Sequence, residues 1–129
     1  MFIFIKMIVM DLTLRQELAG RSCTGIPKGS PALTPDQAAR LLLAVPEWSS
    51  SGDKLEREYI LKSYLSGVRW FAVLADIAEQ EDHHPDAFIT WRRVKLTLST
   101  HTVAGLSEND FILAAKLECA FEEFNSKEP

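Results

Sequence analysis

The chain has three histidines, and all of them fall within one stretch: His83, His84 and His101. Histidine's ordinary pKa lets one ring give a proton and another take one near neutrality, so rings in different surroundings can divide acid and base work. Glu79 stands one helical turn before His83 and points toward the same side. Proton transfer is the chemistry this concentration suggests. A metal site is the rival reading, since imidazole ligates zinc, copper and iron. It is the weaker one, because adjacent histidines at a strand-like corner diverge and the catalytic-zinc pattern of two histidines at helical spacing is absent. No metal is expected.

Local signals set where the rings sit. Pro85 disfavours the helical conformation at His84, which puts the pair at a helix exit. Phe88 to Trp91, the basic Arg92-Arg93 and the alternating Val94-Lys95-Leu96-Thr97-Leu98-Ser99 read as a hairpin with Val94, Leu96 and Leu98 on its buried face. By that alternation His101 shares the face of Lys95, Thr97 and Ser99. A hairpin returns the chain toward its start, so His101 can approach the His83-His84 corner.

The flanking elements follow from the same signals. Thr34-Pro35-Asp36-Gln37 reads as a helix start with a capping box, followed by Ala38, Leu41, Leu42 and Val45 at helical spacing and stopped by Pro46. Trp48 begins a short strand, and Leu55 to Tyr64 reads as its partner across a polar turn. Ser66 is the expected cap of a helix running to about Asp82, with an apolar surface wide enough for some of it to meet another subunit. Ser107 caps the last helix, whose stripe is Leu113, Leu117, Ala120, Phe121 and Phe124; Asn125 to Pro129 are expected to fray. The prediction is an α+β fold, a four-stranded antiparallel sheet with helices packed on one face, in the order α-β-β-α-β-β-α.

Size and composition bound the rest. A length of 129 residues suits one core, and 47% apolar with 25% charged residues suits a folded globular protein. Residues 33–125 are read as the domain and 1–32 as a loosely ordered N-terminal extension whose turn formers (Gly20, Gly25, Pro27, Gly29, Ser30, Pro31) carry no chemistry. The opening MFIFIKMIVM is too short to span a bilayer and lacks the charged start of a signal peptide. With Met7 and Met10 so close, it is read as an upstream start or a disordered extension, and the cytoplasm is the expected compartment. A net charge of −4 gives no general pull toward nucleic acid or an anionic membrane. Cys23 and Cys119 are too far apart in sequence to suggest a disulfide framework or a zinc site.

Glu79-Gln80-Glu81-Asp82-His83-His84-Pro85, then Trp91, then Ser99-Thr100-His101, then Ala104-Gly105-Leu106-Ser107 and Asp110, resemble the signature of the pterin-4a-carbinolamine dehydratases. Leu33-Thr34-Pro35 and the Trp48 segment resemble the start of that family, so the likeness covers roughly Leu33 to Phe124. The resemblance implies dehydration of 4a-hydroxytetrahydropterin, the spent cofactor of aromatic amino acid hydroxylases, to quinonoid dihydropterin. The pterin is then substrate, and no separate cofactor is expected. His83 and His101 would share the acid and base tasks, either way round, with His84 holding the pterin. Glu79 would orient His83 or bind the ring, unless it is a solvated carboxylate near a helix end. Asp110 has two readings, a capping-box partner of Ser107 and a chemical group. Asp82, Ser99, Thr100 and Thr102 would contact the pterin in the family manner. Trp91 replaces a common tyrosine, and Ala87 stands where many relatives carry tryptophan. The family also implies a homodimer or homotetramer. Two other functions remain open from the sequence: a binding module, since animal members bind and stabilise a homeodomain factor's dimer, and a relative acting on another pterin, such as a molybdopterin-linked compound.

Overall fold

The alternation of Val94, Leu96 and Leu98 with polar residues is the seed of the fold, because a strand with that pattern buries one face and wets the other. The computed structural model describes residues 10–129, so the opening run lies outside the described residues except for Met10. The elements are α1 (Leu12–Ala19), α2 (Pro35–Leu42), β1 (Ser49–Ser51), β2 (Lys54–Ile60), α3 (Tyr64–Glu81), β3 (Asp86–Thr90), β4 (Arg93–Leu98), one 3-10 turn (His101–Val103) and α4 (Glu108–Lys127). From α2 onward this is the expected order, and the fold is α+β. The sheet is antiparallel throughout in the order β1-β2-β4-β3.

Register fixes which residues share the core. Leu55 lies opposite Leu98 and Tyr59 opposite Val94, so the apolar residues of the two central strands stack on the helix side. Against them pack Trp70 and Leu74 of α3 and Phe111, Leu113, Ala114 and Leu117 of α4, all at most 1% exposed. Each such large side chain contributes about 1.5–3 kcal/mol by leaving water. The other sheet face is open, exposing Ile60 and Phe88 among charged residues, and is braced across strands by Arg93 to Glu58 (3.4 Å) and Lys95 to Glu56 (3.1 Å).

Four local expectations are corrected. The extension is not loose between residues 11 and 19: Asp11 caps α1 by accepting from the Leu14 N–H (2.9 Å), Leu18 joins the core, and the Arg15 guanidinium donates to the Ala44 carbonyl (2.8 Å). This short helix has only a thin apolar stripe, and what holds it is contact with distant chain, including Lys116 Nζ to the Ala19 carbonyl (2.8 Å). Helix α3 begins at Tyr64 under a Ser63 cap, not Ser66; Ser63 has the extended backbone a cap needs, and its hydroxyl accepts from the Ser66 N–H (3.0 Å). The second strand accordingly ends at Ile60 instead of running to Tyr64. The C-terminus does not fray at Asn125, because α4 continues to Lys127 and Glu128 is tied to Ser66 and Arg69, each at 2.6 Å.

Candidate active site

Helix α3 ends where Asp82 adopts a left-handed backbone (φ 48°), with the Asp82 N–H bonded to the Glu79 carbonyl (3.2 Å) and the His83 N–H to the Ala78 carbonyl (3.1 Å). That double bond satisfies the last carbonyls and swings the chain out of the helix, and Pro85 keeps it extended. Consecutive side chains then diverge. His83 turns inward to α4, its side chain 13% exposed, and His84 turns back over α3, 54% exposed.

His83 is held by a buried carboxylate. Its Nε2 lies 2.6 Å from Asp110 Oδ1, and Asp110 is fully buried. The other carboxylate oxygen, Oδ2, accepts from the Thr100 hydroxyl (2.8 Å) and the Ser107 N–H (3.0 Å), and Thr100 and Ser107 share a further bond at 2.7 Å. The Asp110 carboxylate therefore faces His83 through one oxygen and Thr100 and Ser107 through the other, so the ring's Nδ1 is the nitrogen not engaged by Asp110. Asp110 thus closes the start of α4 back onto Ser107 and, with its other oxygen, holds the His83 ring.

The remaining predicted residues distribute unevenly. His83, His84 and His101 line one cavity of about 560 Å³, together with Asp82, Ser99, Thr100 and Thr102. A space of that size falls in the range of small-molecule sites, about 300–1,000 Å³. The hairpin does bring His101 to the pair: Asp86, beside the corner, lies opposite Thr97, just before the His101 turn. Glu79 does not orient His83; its carboxylate lies 2.6 Å from His84 Nε2, in an exposed pair outside the lining. Trp91 is not at this site. It sits 74% exposed in the hairpin turn, at the far end of β3 from the histidines, because a strand that leaves the corner carries its last residues away.

Sequence reasoning missed the wall opposite the sheet. Thr24, Gly25 and Ile26 line the cavity, as do Asn109, Thr97 and Asp86. The Thr24 N–H donates to Asn109 Oδ1 (3.1 Å), and Asn109 Nδ2 donates back to the Thr24 carbonyl (2.7 Å). Just before it, the Cys23 N–H donates to Glu81 Oε1 (2.8 Å), and burial with the Glu81 carboxylate beside it pushes the Cys23 thiol up to about 12. No local pattern in residues 20–31 carries a sign of this; only Asn109, next to Asp110 in sequence, offered a hint. A second depression of similar size, about 580 Å³, lies over Phe88 and Lys95 on the open sheet face but contains no histidine, so chemistry rather than volume chooses between them.

A family model described as pterin 4 alpha carbinolamine dehydratase matches residues 31–120. The chain belongs to that family. It is 40% identical over 104 residues to an Azoarcus sp. (strain BH72) protein provisionally named pterin-4-alpha-carbinolamine dehydratase, covering 79% of this chain and 89% of that protein. It is 45% identical over 91 residues to pterin-4-alpha-carbinolamine dehydratase 2, mitochondrial, of Arabidopsis thaliana, covering 67% of this chain and 49% of that longer protein. Among solved structures, a transcriptional coactivator/pterin dehydratase from Brucella melitensis superposes with a TM-score of 0.65 at 30% identity, over 68% of this chain and 96% of that one. Family membership makes the chain a pterin dehydratase in kind. No described helix is long and apolar enough to cross a membrane.

Proposed function

We propose that this protein dehydrates 4a-hydroxytetrahydropterin, as 4a-hydroxytetrahydrobiopterin, to the quinonoid dihydropterin, returning the cofactor of aromatic amino acid hydroxylases to use. The observation that carries the reading is one cavity bordered by three imidazoles, one of them tethered to a buried carboxylate. The reaction breaks the C4a–O bond, removes the proton from N5 and forms a C4a=N5 double bond, with water as the second product. It is redox-neutral, so the pterin is the whole substrate and the step is written without a further cofactor or metal.

His83 is the base in this reading. A carboxylate-bound Nε2–H leaves Nδ1 free to take the N5 proton, and Asp110 stabilises the cation that forms. His101, exposed on the other side of the cavity, delivers a proton to the departing oxygen, and His84 holds the ring with Asp82, Ser99 and Thr102 beside it. General acid–base groups contribute typically about 10²–10⁴-fold each. His83→Ala and His101→Ala are therefore expected to lower kcat by that much in a stopped-flow assay on freshly generated carbinolamine. Wild-type rates in both variants would sink the assignment.

The family's dimer or tetramer is proposed to form through the exposed Tyr64, Leu65 and Val68 at the start of α3, which give an apolar surface of the kind subunits cover. Light scattering on the full chain tests this: a monomer at micromolar concentration removes it. That surface also supports a protein-binding role as the second reading, favoured if the protein fails to accelerate dehydration yet forms a tight complex with another protein. Two free thiols, Cys23 and Cys119, suit a reducing cytoplasm, which cell fractionation would test.

A further inference from the structure

The residues that line the cavity are polar in type, apart from Gly25 and Ile26. Imidazoles, hydroxyls, carboxylates and one amide border it, and Ile26 is the single aliphatic side chain among its described lining residues. A flat heterocycle presents two apolar faces, and sites for such ligands rely mainly on apolar contact for affinity, with polar groups setting orientation. The segment bearing Ile26 is also fastened on both sides of the cavity. At one end Cys23 is bonded to Glu81, in the last turn of α3, and Thr24 is bonded twice to Asn109. At the other end the Gly29 N–H donates to the carbonyl of Thr102, the neighbour of His101 (3.4 Å). The arm therefore runs from the His83 side to the His101 side. Asn109 precedes Asp110 on α4, so the residue fixing the arm adjoins the residue fixing the base.

We propose that Thr24–Ile26 is the substrate-gripping wall of this active site: Ile26 supplies the apolar contact to the bound pterin, and Asn109 holds the wall in place. The inference rests on the pterin reading and adds to it a specificity residue outside the family-matched span of 31–120. Trimming Ile26 removes ground-state contact but leaves the proton-transfer groups intact. KM should then rise while kcat holds.

The test uses the full chain with 7,8-dihydrobiopterin, a reduced pterin that has no 4a-hydroxyl to lose, titrated calorimetrically, alongside the dehydration assay. Ile26→Ala is expected to weaken probe binding about tenfold and raise KM in parallel, with kcat within about twofold, and Ile26→Leu is expected to restore most of both. Asn109→Ala should shift binding in the same direction by releasing the arm. Probe binding and KM within about twofold of wild type in Ile26→Ala, or an equal loss in Ile26→Leu, overturns the proposal. If those values are unchanged while His83→Ala is inactive, the wall fails and the dehydratase reading survives. If Ile26→Ala loses the probe while the wild type does not accelerate dehydration, the wall stands and the reaction is wrong. A wild type that does not bind the probe overturns the wall.

Discussion

Helix α4 carries two buried carboxylates about two turns apart, and they are put to different use. Glu118, 4% exposed, accepts from the Trp48 indole (2.9 Å), from Arg57 Nε and Nη2 (3.0 and 3.1 Å) and from the Tyr59 hydroxyl, while the Arg57 guanidinium lies over the Tyr59 ring at 4.0 Å. Burial, and then the Glu118 charge, push the Tyr59 hydroxyl well above its ordinary value, so every donor in this cluster keeps its proton at neutral pH. Asp110 is equally buried, but one of its donors is an imidazole that borders a cavity. Burial and hydrogen bonding are common to both sites. What separates them is whether a partner can exchange its proton with something outside the cluster.

Breaking each cluster should expose that difference. Glu118→Ala leaves the half-buried Arg57 without its counter-charge and the buried Trp48 and Tyr59 donors without an acceptor, and is expected to cost about 3–5 kcal/mol in urea unfolding, while the molecules still folded keep wild-type kcat. Asp110→Asn should do the reverse. It turns one of the two accepting oxygens into an NH2 donor and removes the charge, so kcat is expected to fall about 10²-fold, with a stability loss of about 1 kcal/mol from the weakened start of α4. The exposed Glu79–His84 pair tests whether a carboxylate–histidine contact matters without burial: Glu79→Ala should change kcat/KM by no more than about threefold, in line with surface pairs worth about 0–1 kcal/mol. Trp91→Ala, distant from the histidines, should alter neither kcat/KM nor stability by more than about 0.5 kcal/mol.

The last effect is silent at neutral pH and appears only in alkali. The folded Cys23 thiol titrates near 12 against an ordinary 9.0, so between those values the folded protein binds the extra proton and stability falls as pH rises. Cys23→Ala should flatten that alkaline decline in unfolding curves taken across the window. At pH 8, iodoacetamide should label the exposed Cys119 well before Cys23.

The histidine corner was legible because its signals are local: Pro85 ends the helix, the alternation from Val94 to Ser99 sets a hairpin, and Ser107 with Asp110 starts a helix. The pairing of those histidines was only half legible. Spacing put Glu79 near His83, but the left-handed residue Asp82 turns the two rings apart and gives each a different carboxylate. Trp91 was placed at the site by family likeness, whereas strand length carries it to the other end of the sheet. The arm was illegible because α1 and the Thr24–Ile26 wall are held by distant residues, from Ala44 and Glu81 to Asn109 and Lys116. Tertiary bonds of that reach leave no periodicity in the sequence.

The long reach of those bonds sets the order in which the molecule can become an enzyme. During synthesis the first residues leave the ribosome long before α4 exists, and loops closed across most of a chain form late for entropic reasons. A nascent chain ending between His101 and Asn109 holds all three imidazoles but lacks Asp110 for the base and Asn109 for the wall, so proton-transfer competence arrives with the final helix.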